Sequence, residues 1–246
     1  MEGSAMGKVI AVVSGKGGTG KTTTTGALGS CLAVMGYKTL CVDCDVGLRN
    51  LDMNLGMTDN AVLDFSDVIS GEIELTKACS AHKKIENLYF LSCPAVGTVQ
   101  DYDRDTMIKL AEQARESFDF CLMDSAAGIG SGFMLASGAA DGAIIVTTGD
   151  NAGIRDAARV AQELVGLDIK NIYLIVNRIS RRRFRESGLT VDDIIDTVGV
   201  QLIGVIFEDD DVSLAANDDT PLVLYKRRGA SKQYLRAAQR FASNFK

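Results

Sequence analysis

Short apolar runs alternate with longer amphipathic stretches along the whole chain. The first run, Val9-Ile10-Ala11-Val12-Val13, has no polar position and reads as a strand buried on both faces. Residues 22–35 follow as a helix and residues 39–45 as a second strand. Residues 59–70 are expected to be helical and residues 88–92 extended. Residues 103–118 place Met107, Ala111, Ala114 and Phe118 on one helical face. A strand over residues 120–123 then runs into Asp124 and the glycine-rich loop Gly128-Ile129-Gly130. Residues 142–147 form a strongly apolar strand, and residues 151–165 a helix with Ile154, Ala158, Ala161 and Val165 aligned. A strand over 171–176 precedes a helix over 190–198, which a Thr190/Asp193 capping box opens. A strand over 201–206 and a closing helix over 232–245 complete the pattern.

Apolar strands separated by helices predict a single α/β domain, with a mainly parallel sheet flanked by helices on both faces. No linker or repeat divides the 246 residues, so residues 8–246 read as one domain. Residues 1–7, which include Glu2-Gly3-Ser4-Ala5-Met6, read as an N-terminal extension of the kind cloning leaves. Such sheets bind ligands beyond the carboxyl ends of their strands, and the chemically capable residues fall there. Gly15-Lys16-Gly17-Gly18-Thr19-Gly20-Lys21-Thr22 follows the first strand and is a complete G-x-x-x-x-G-K-[ST] phosphate-binding loop. Its glycines let backbone N–H groups face an anion, and the next helix adds its positive end. Lys21 is the candidate for the β- and γ-phosphates, Thr22 for a Mg²⁺ ligand, and Thr23 is counted with the loop. Gly15, Gly17 and Gly20 also fit G-x-G-x-x-G, with Asp43 where a ribose-binding acid would sit. A dinucleotide site has no role for Lys21-Thr22, however. Asp124, directly after an apolar strand, is the candidate Walker B carboxylate, holding Mg²⁺ directly or through water. Asp45 begins an irregular loop after the second strand and is the candidate to face the γ-phosphate and orient water, and to contribute to the metal site.

Lys16 is one lysine more than a phosphate loop requires. Lys16-Gly17-Gly18-Thr19-Gly20-Lys21-Thr22 resembles the deviant Walker A loop of the MinD/ParA ATPases. The run Asp45-Val46-Gly47-Leu48-Arg49-Asn50-Leu51-Asp52 resembles switch I of the septum-site branch, and Asp124-Ser125-Ala126-Ala127-Gly128-Ile129 its switch II. Asn177-Arg178 resembles the family's adenine-recognition pair, and Ala215-Ala216-Asn217 with Pro221-Leu222-Val223-Leu224 its C-terminal signature. The resemblance covers the chain from Lys8 onward, and Arg49-Asn50-Leu51-Asp52 favours the septum-site branch over the partitioning and flagellar-number branches.

The resemblance implies a P-loop ATPase that uses ATP and Mg²⁺ and forms a homodimer with ATP until hydrolysis ends it. It implies that Lys16 crosses to the partner subunit's nucleotide, where a second positive charge meets developing phosphate charge. Slow, partner-stimulated turnover, a role in positioning the cell-division site, and division-inhibitor and ATPase-activating partners are further implications. So is a cytoplasmic location, peripheral at the inner face of the cell membrane. Partitioning or cargo-positioning ATPases share the loop. Nitrogenase-iron-protein-like reductases share it too, but need cysteines ligating an iron–sulfur cluster at the dimer axis. Ala126 stands where the family has proline, Thr147-Thr148-Gly149-Asp150 where it has Thr-Thr-Pro-Glu, and Phe207-Glu208-Asp209 where it has Pro-Glu-Asp. The family also carries a basic amphipathic tail after its last globular helix, and this sequence stops at Lys246. Membrane contact is therefore expected through a tail absent here. Weak contact could also come from residues 231–246, where Leu235, Ala238 and Phe241 oppose Lys232, Arg236 and Arg240.

Composition narrows this little further. A net charge of −6 disfavours broad nucleic-acid binding. No apolar run approaches the ~18 residues of a membrane span, and no secretory signal is visible. Cys41 and Cys44 form a C-x-x-C, but three residues apart on a strand they face opposite ways. All six cysteines are expected as reduced, core-filling thiols. His82 reads as a surface residue. Arg181-Arg182-Arg183-Phe184-Arg185 reads either as a contact for an acidic partner, lipid or nucleic acid, or as a solvated loop balancing Glu208 to Asp211.

Overall fold

The computed structural model describes residues 6–58, 63–95 and 97–245. Its strands are β1 (Lys8–Val13), β2 (Thr39–Asp43), β3 (Ser80–Ala81), β4 (Leu88–Leu91), β5 (Phe120–Asp124), β6 (Gly142–Thr148), β7 (Asn171–Ile179) and β8 (Gln201–Phe207). Its helices are α1 (Lys21–Val34), α2 (Leu51–Leu55), α3 (Phe65–Ile69), α4 (Leu75–Ala78), α5 (Arg104–Ser117) and α6 (Ser131–Ser137), followed by α7 (Asn151–Gly166), α8 (Arg181–Glu186), α9 (Val191–Val198), α10 (Asp210–Asn217), α11 (Leu222–Tyr225) and α12 (Ala230–Ser243). The strands form one sheet in the order β3-β4-β2-β5-β1-β6-β7-β8. Every pair is parallel except the edge pair of β3 and β4.

The two faces of β1 explain the layers. Val9, Ala11 and Val13 enter one core with Met107 and Leu110 of α5, Phe133 of α6 and Ile154 of α7. Ile10 and Val12 enter the other, with Leu28 and Leu32 of α1 and Tyr234 and Phe241 of α12. The central strands are covered on both sides, which is why their sequences lack polar alternation. Cys41 belongs to the second layer and Cys44 to the first, so the C-x-x-C cannot close on itself, and all six thiols are free. Gly29 of α1 makes room for Cys41: a Cβ there would stand 2.2 Å from its Sγ.

The expected element types hold, with some shifts. The second strand ends at Asp43, two residues early, because the chain turns there into the loop Asp43 organises. Residues 59–62 of the expected helix over 59–70 lie outside the described residues, as do residues 1–5 and Lys246; α3 starts after an Asp64 cap whose box is closed by Asp67. On α7 the buried stripe is Ile154, Ala157, Ala161 and Leu164, while Val165 is exposed. Two alanines and two aliphatics lie side by side there, so periodicity alone fits either stripe, and packing onto the sheet selects one. His82 is a correction: it is buried, not a surface residue. Its Nδ1 accepts the N–H groups of Lys84 and Ile85, closing the turn before β4. The closing helix packs on the domain through Tyr234, Ala237, Ala238 and Phe241. No helix among the described residues is long and apolar enough to cross a membrane.

Candidate active site

Between β1 and α1 the chain makes its glycine loop, with Gly18 and Gly20 at φ 77° and 82°, where side chains are strained. The loop is held through its carbonyls. Ser14 Oγ donates to the Lys16 carbonyl at 3.1 Å, Arg178 Nη1 to Gly18 at 2.7 Å, and Asn177 Nδ2 to Thr19 at 2.9 Å. Among the described residues, no protein acceptor takes the backbone N–H groups of Gly17 to Thr23. α1 has no side-chain cap and no acid in its first turn. A helix start left open in this way is a ready anion site.

Lys21 and Asp124 meet beneath the loop. Asp124 ends β5, beside β1 and β2, and its Oδ1 lies 3.0 Å from Lys21 Nζ and accepts from Thr25 Oγ1 at 2.8 Å. Its Oδ2 is buried without a partner among the described residues. A buried, unpaired carboxylate oxygen is costly unless something binds it. Asp43, the register neighbour of Asp124, is also buried but turned to its own loop. Its carboxylate accepts the N–H groups of Asp45, Asn50 and Leu51, fixing both ends of that loop. Burial, with Asp124 adding to it, pushes the Asp43 carboxyl up to about 6. Asp45 is half-buried at the loop's start. Burial raises its carboxyl, Lys21 lowers it and Asp124 raises it, so all three acids share one field.

Lys16 points along the loop's rim to Asp150, 3.1 Å away. Asp150 also caps α7 through Gly153 N–H and accepts from Thr148; these bonds hold its carboxyl down to about 2. The glycine before it is explained by packing: a Cβ on Gly149 would stand 2.3 Å from Ile179 Cδ1 and 3.2 Å from Phe184. Phe184 belongs to the basic run, which is the exposed helix α8. Arg183 pairs with Glu208, Arg182 with Glu186, and Arg181 stacks 3.9 Å over Phe207. These contacts match the solvated, charge-balancing reading of that run. On the switch II side, Ser125 N–H donates to Val12 and Gly128 N–H to Ser14, tying that segment to the loop's root. Ala126 is matched there by Gly132, where a Cβ would stand 2.5 Å from the alanine's own.

A cavity of about 400 Å³ opens beside Gly20 and Thr23, lined by Asn177, Arg178, Phe207, Glu208, Asp209 and Tyr234 among others. Asn177 and Arg178 lie within β7, which runs past its expected end; Arg178 adopts φ 55° where the pairing with β8 slips. Asp209 caps α10 and also accepts the Ala230 N–H, tying the cavity wall to α12. The structure thus gathers Gly15 to Thr23, Asp45, Asp124, Asn177 and Arg178 around one loop. Thr25, Asp150 and Tyr234 were not anticipated. For Tyr234 a signal existed, since a tyrosine on a buried helix face needs a hydroxyl partner.

Comparison with known proteins decides the family. Residues 10–222 match the CobQ/CobB/MinD/ParA nucleotide binding domain. The septum site-determining protein MinD of Synechocystis is 39% identical over 223 residues, covering 90% of this chain and 84% of that protein. The chain belongs to the MinD family. Its fold matches a chain of the MinC:MinD cell division protein complex of Aquifex aeolicus at a TM-score of 0.87, with 36% identity and 96% of each chain covered. The MinD of Pyrococcus horikoshii, solved with Mg-ADP, matches at 0.86, with 30% identity and 98% of each chain covered. As a MinD-type protein the chain is a P-loop ATPase of division-site positioning, using ATP and Mg²⁺. The partitioning and reductase alternatives give way to this assignment.

Proposed function

We propose that this MinD-type ATPase is a slow switch that forms a homodimer with ATP, and that a partner protein stimulates its hydrolysis. The observation that carries the reading is the coincidence at one helix start of free N–H groups, the Lys21–Asp124 pair and an unpartnered carboxylate oxygen. The N–H groups of Gly17 to Thr23 cradle the phosphates, and Lys21 exchanges Asp124 for the β- and γ-phosphates. Asn177 and Arg178 hold the base in the adjoining cavity. Thr22, Asp124 and Asp45 supply hard oxygen donors suited to Mg²⁺, and the unpartnered Asp124 Oδ2 fits such a ligand. When bound, the ion neutralises charge on the phosphate oxygens. Asp45 orients the attacking water, while Asp43 is occupied by three backbone N–H groups and serves the loop's shape. Lys16 leaves Asp150 and reaches the partner subunit's nucleotide, so that hydrolysis waits for dimerisation.

The partners that fit this reading are a division inhibitor of the MinC kind and an ATPase activator. The proposed location is the cytoplasm, peripheral at the inner face of the cell membrane. Sedimentation velocity and phosphate release with Mg-ATP, on wild type and Lys16→Ala, test the switch. The expected result is a wild-type dimer with ATP but not ADP, and a variant that binds ADP yet neither dimerises nor hydrolyses. A wild type that stays monomeric with ATP, or a variant that dimerises and turns over normally, overturns it.

A further inference from the structure

Asn177 and Tyr234 both line the cavity beside the phosphate loop, and their side chains touch. Tyr234 Oη donates to Asn177 Oδ1 at 3.2 Å, and Thr24 Oγ1 lies 3.1 Å from the same phenol oxygen. The other end of the amide, Nδ2, donates to the Thr19 carbonyl at 2.9 Å. All three side chains are buried.

The directions of these bonds are fixed. A carbonyl only accepts, so Nδ2 must face Thr19. Tyr234 has one proton and gives it to Oδ1, so the Thr24 hydroxyl donates to the phenol oxygen. Burial pushes the Tyr234 phenol up to about 12, so it keeps that proton at neutral pH. The loop also makes room for the amide, since a Cβ on Gly20 would stand 2.4 Å from Nδ2. One lone pair of Oδ1 and one proton of Nδ2 remain for a ligand. Adenine offers a donor and an acceptor side by side at N6 and N7, which complements an amide held in this way. Guanine offers two acceptors, O6 and N7, and O6 would meet Oδ1.

We propose that Tyr234 is a positioning residue for base selection: its hydroxyl clamps the Asn177 amide in the orientation that accepts adenine and refuses guanine. The proposal rests on the reading of Asn177 as the residue that holds the base. Tyr234 touches no reacting atom. It acts through Asn177, and through Thr24 it ties the base cavity to the helix that carries Lys21, Thr22 and Thr23.

Tyr234→Phe keeps the ring in its packed place and removes only the hydroxyl. Affinities for Mg-ADP and Mg-GDP, read by displacement of a fluorescent ADP, give the selectivity ratio. With one of two amide anchors gone, ADP binding should weaken about three- to tenfold, as for loss of a single hydrogen bond. GDP binding should stay level or rise, so the ratio should fall at least about threefold. Thr24→Val, which removes the donor to the phenol, should move the ratio the same way by less. Equal weakening of both nucleotides in Tyr234→Phe, or an unchanged ratio, overturns the proposal, provided Asn177→Ala collapses the ratio. If Asn177→Ala leaves the ratio unchanged, the base-holding role of Asn177 has failed, and the positioning role of Tyr234 fails with it.

Discussion

Replacing Lys21 with methionine should destabilise the nucleotide-free chain far more than an exposed lysine would. Lys21 is 6% and Asp124 1% exposed, and their charged atoms are 3.0 Å apart. Methionine fills most of the stem's space, so the loss falls mainly on Asp124. That carboxylate would keep only the Thr25 hydroxyl, since its other oxygen has no partner among the described residues. Removing one member of a buried pair costs about 3–5 kcal/mol, against about 0–1 kcal/mol for a solvated pair. The α1 start is positive and Thr25 still donates to the carboxylate, so the lower end, about 3 kcal/mol, is expected. Asp124→Asn strands the ammonium at a similar cost. The double variant buries neither charge and should lie within about 1.5 kcal/mol of wild type. Urea unfolding of the four proteins at pH 7.5, without nucleotide, measures the cycle. A single-variant loss under about 1 kcal/mol, or a double variant losing the sum of both singles, would refute the buried pair. A chain that holds the pair this firmly gives up Lys21 only to something more negative than Asp124, which a polyphosphate is.

Asp43 gives a second test. Its folded carboxyl at about 6 lies above the unfolded value, so the stability it contributes is complete at low pH and lost as pH rises through 6. Between pH 7.5 and pH 5, the stability of wild type minus that of Asp43→Asn should therefore grow by about 1–1.5 kcal/mol; a flat or shrinking difference sinks the assignment. Asp45→Ala should keep ADP affinity, while ATP hydrolysis falls about 10²-fold or more; unchanged phosphate release would move the water-orienting role elsewhere. All six cysteines should alkylate in the unfolded chain without reductant, and Cys79, the one not fully buried, should label first in the folded chain. Mass spectrometry would expose any bridged pair.

The parts of the site that are contiguous in sequence were legible in it. Gly15 to Thr23 carries its own strand, loop and helix start, so spacing alone predicts what the backbone does. Asp124 was legible because parallel strands deliver whatever ends them to one edge, and Asp45 because its loop leaves the neighbouring strand at that same edge. The misses have separate causes. His82 sits among polar neighbours and is buried by a turn that only its ring nitrogen closes. The α7 stripe was ambiguous because Ala157-Ala158 and Leu164-Val165 fit two faces equally. Asp150 and Tyr234 lie 134 and 57 residues from the partners they bond, and no local pattern announces a contact at that range. Gly149, which stands where the family has proline, is the space that Ile179 and Phe184 occupy.

The lateness of α12 in the chain has a consequence for synthesis. The phosphate loop is made within the first 22 residues, yet the sheet centre that supports it needs β5 and β6, more than a hundred residues later. The cavity beside the phosphate loop then waits longer still, because Tyr234 and the Ala230 N–H belong to the last helix. A nascent chain therefore carries the phosphate-binding sequence from the start without a complete pocket for ATP. The cavity is completed only when the closing helix docks. A chain stalled or cut before α12 lacks both a wall of that cavity and a large part of the second core layer.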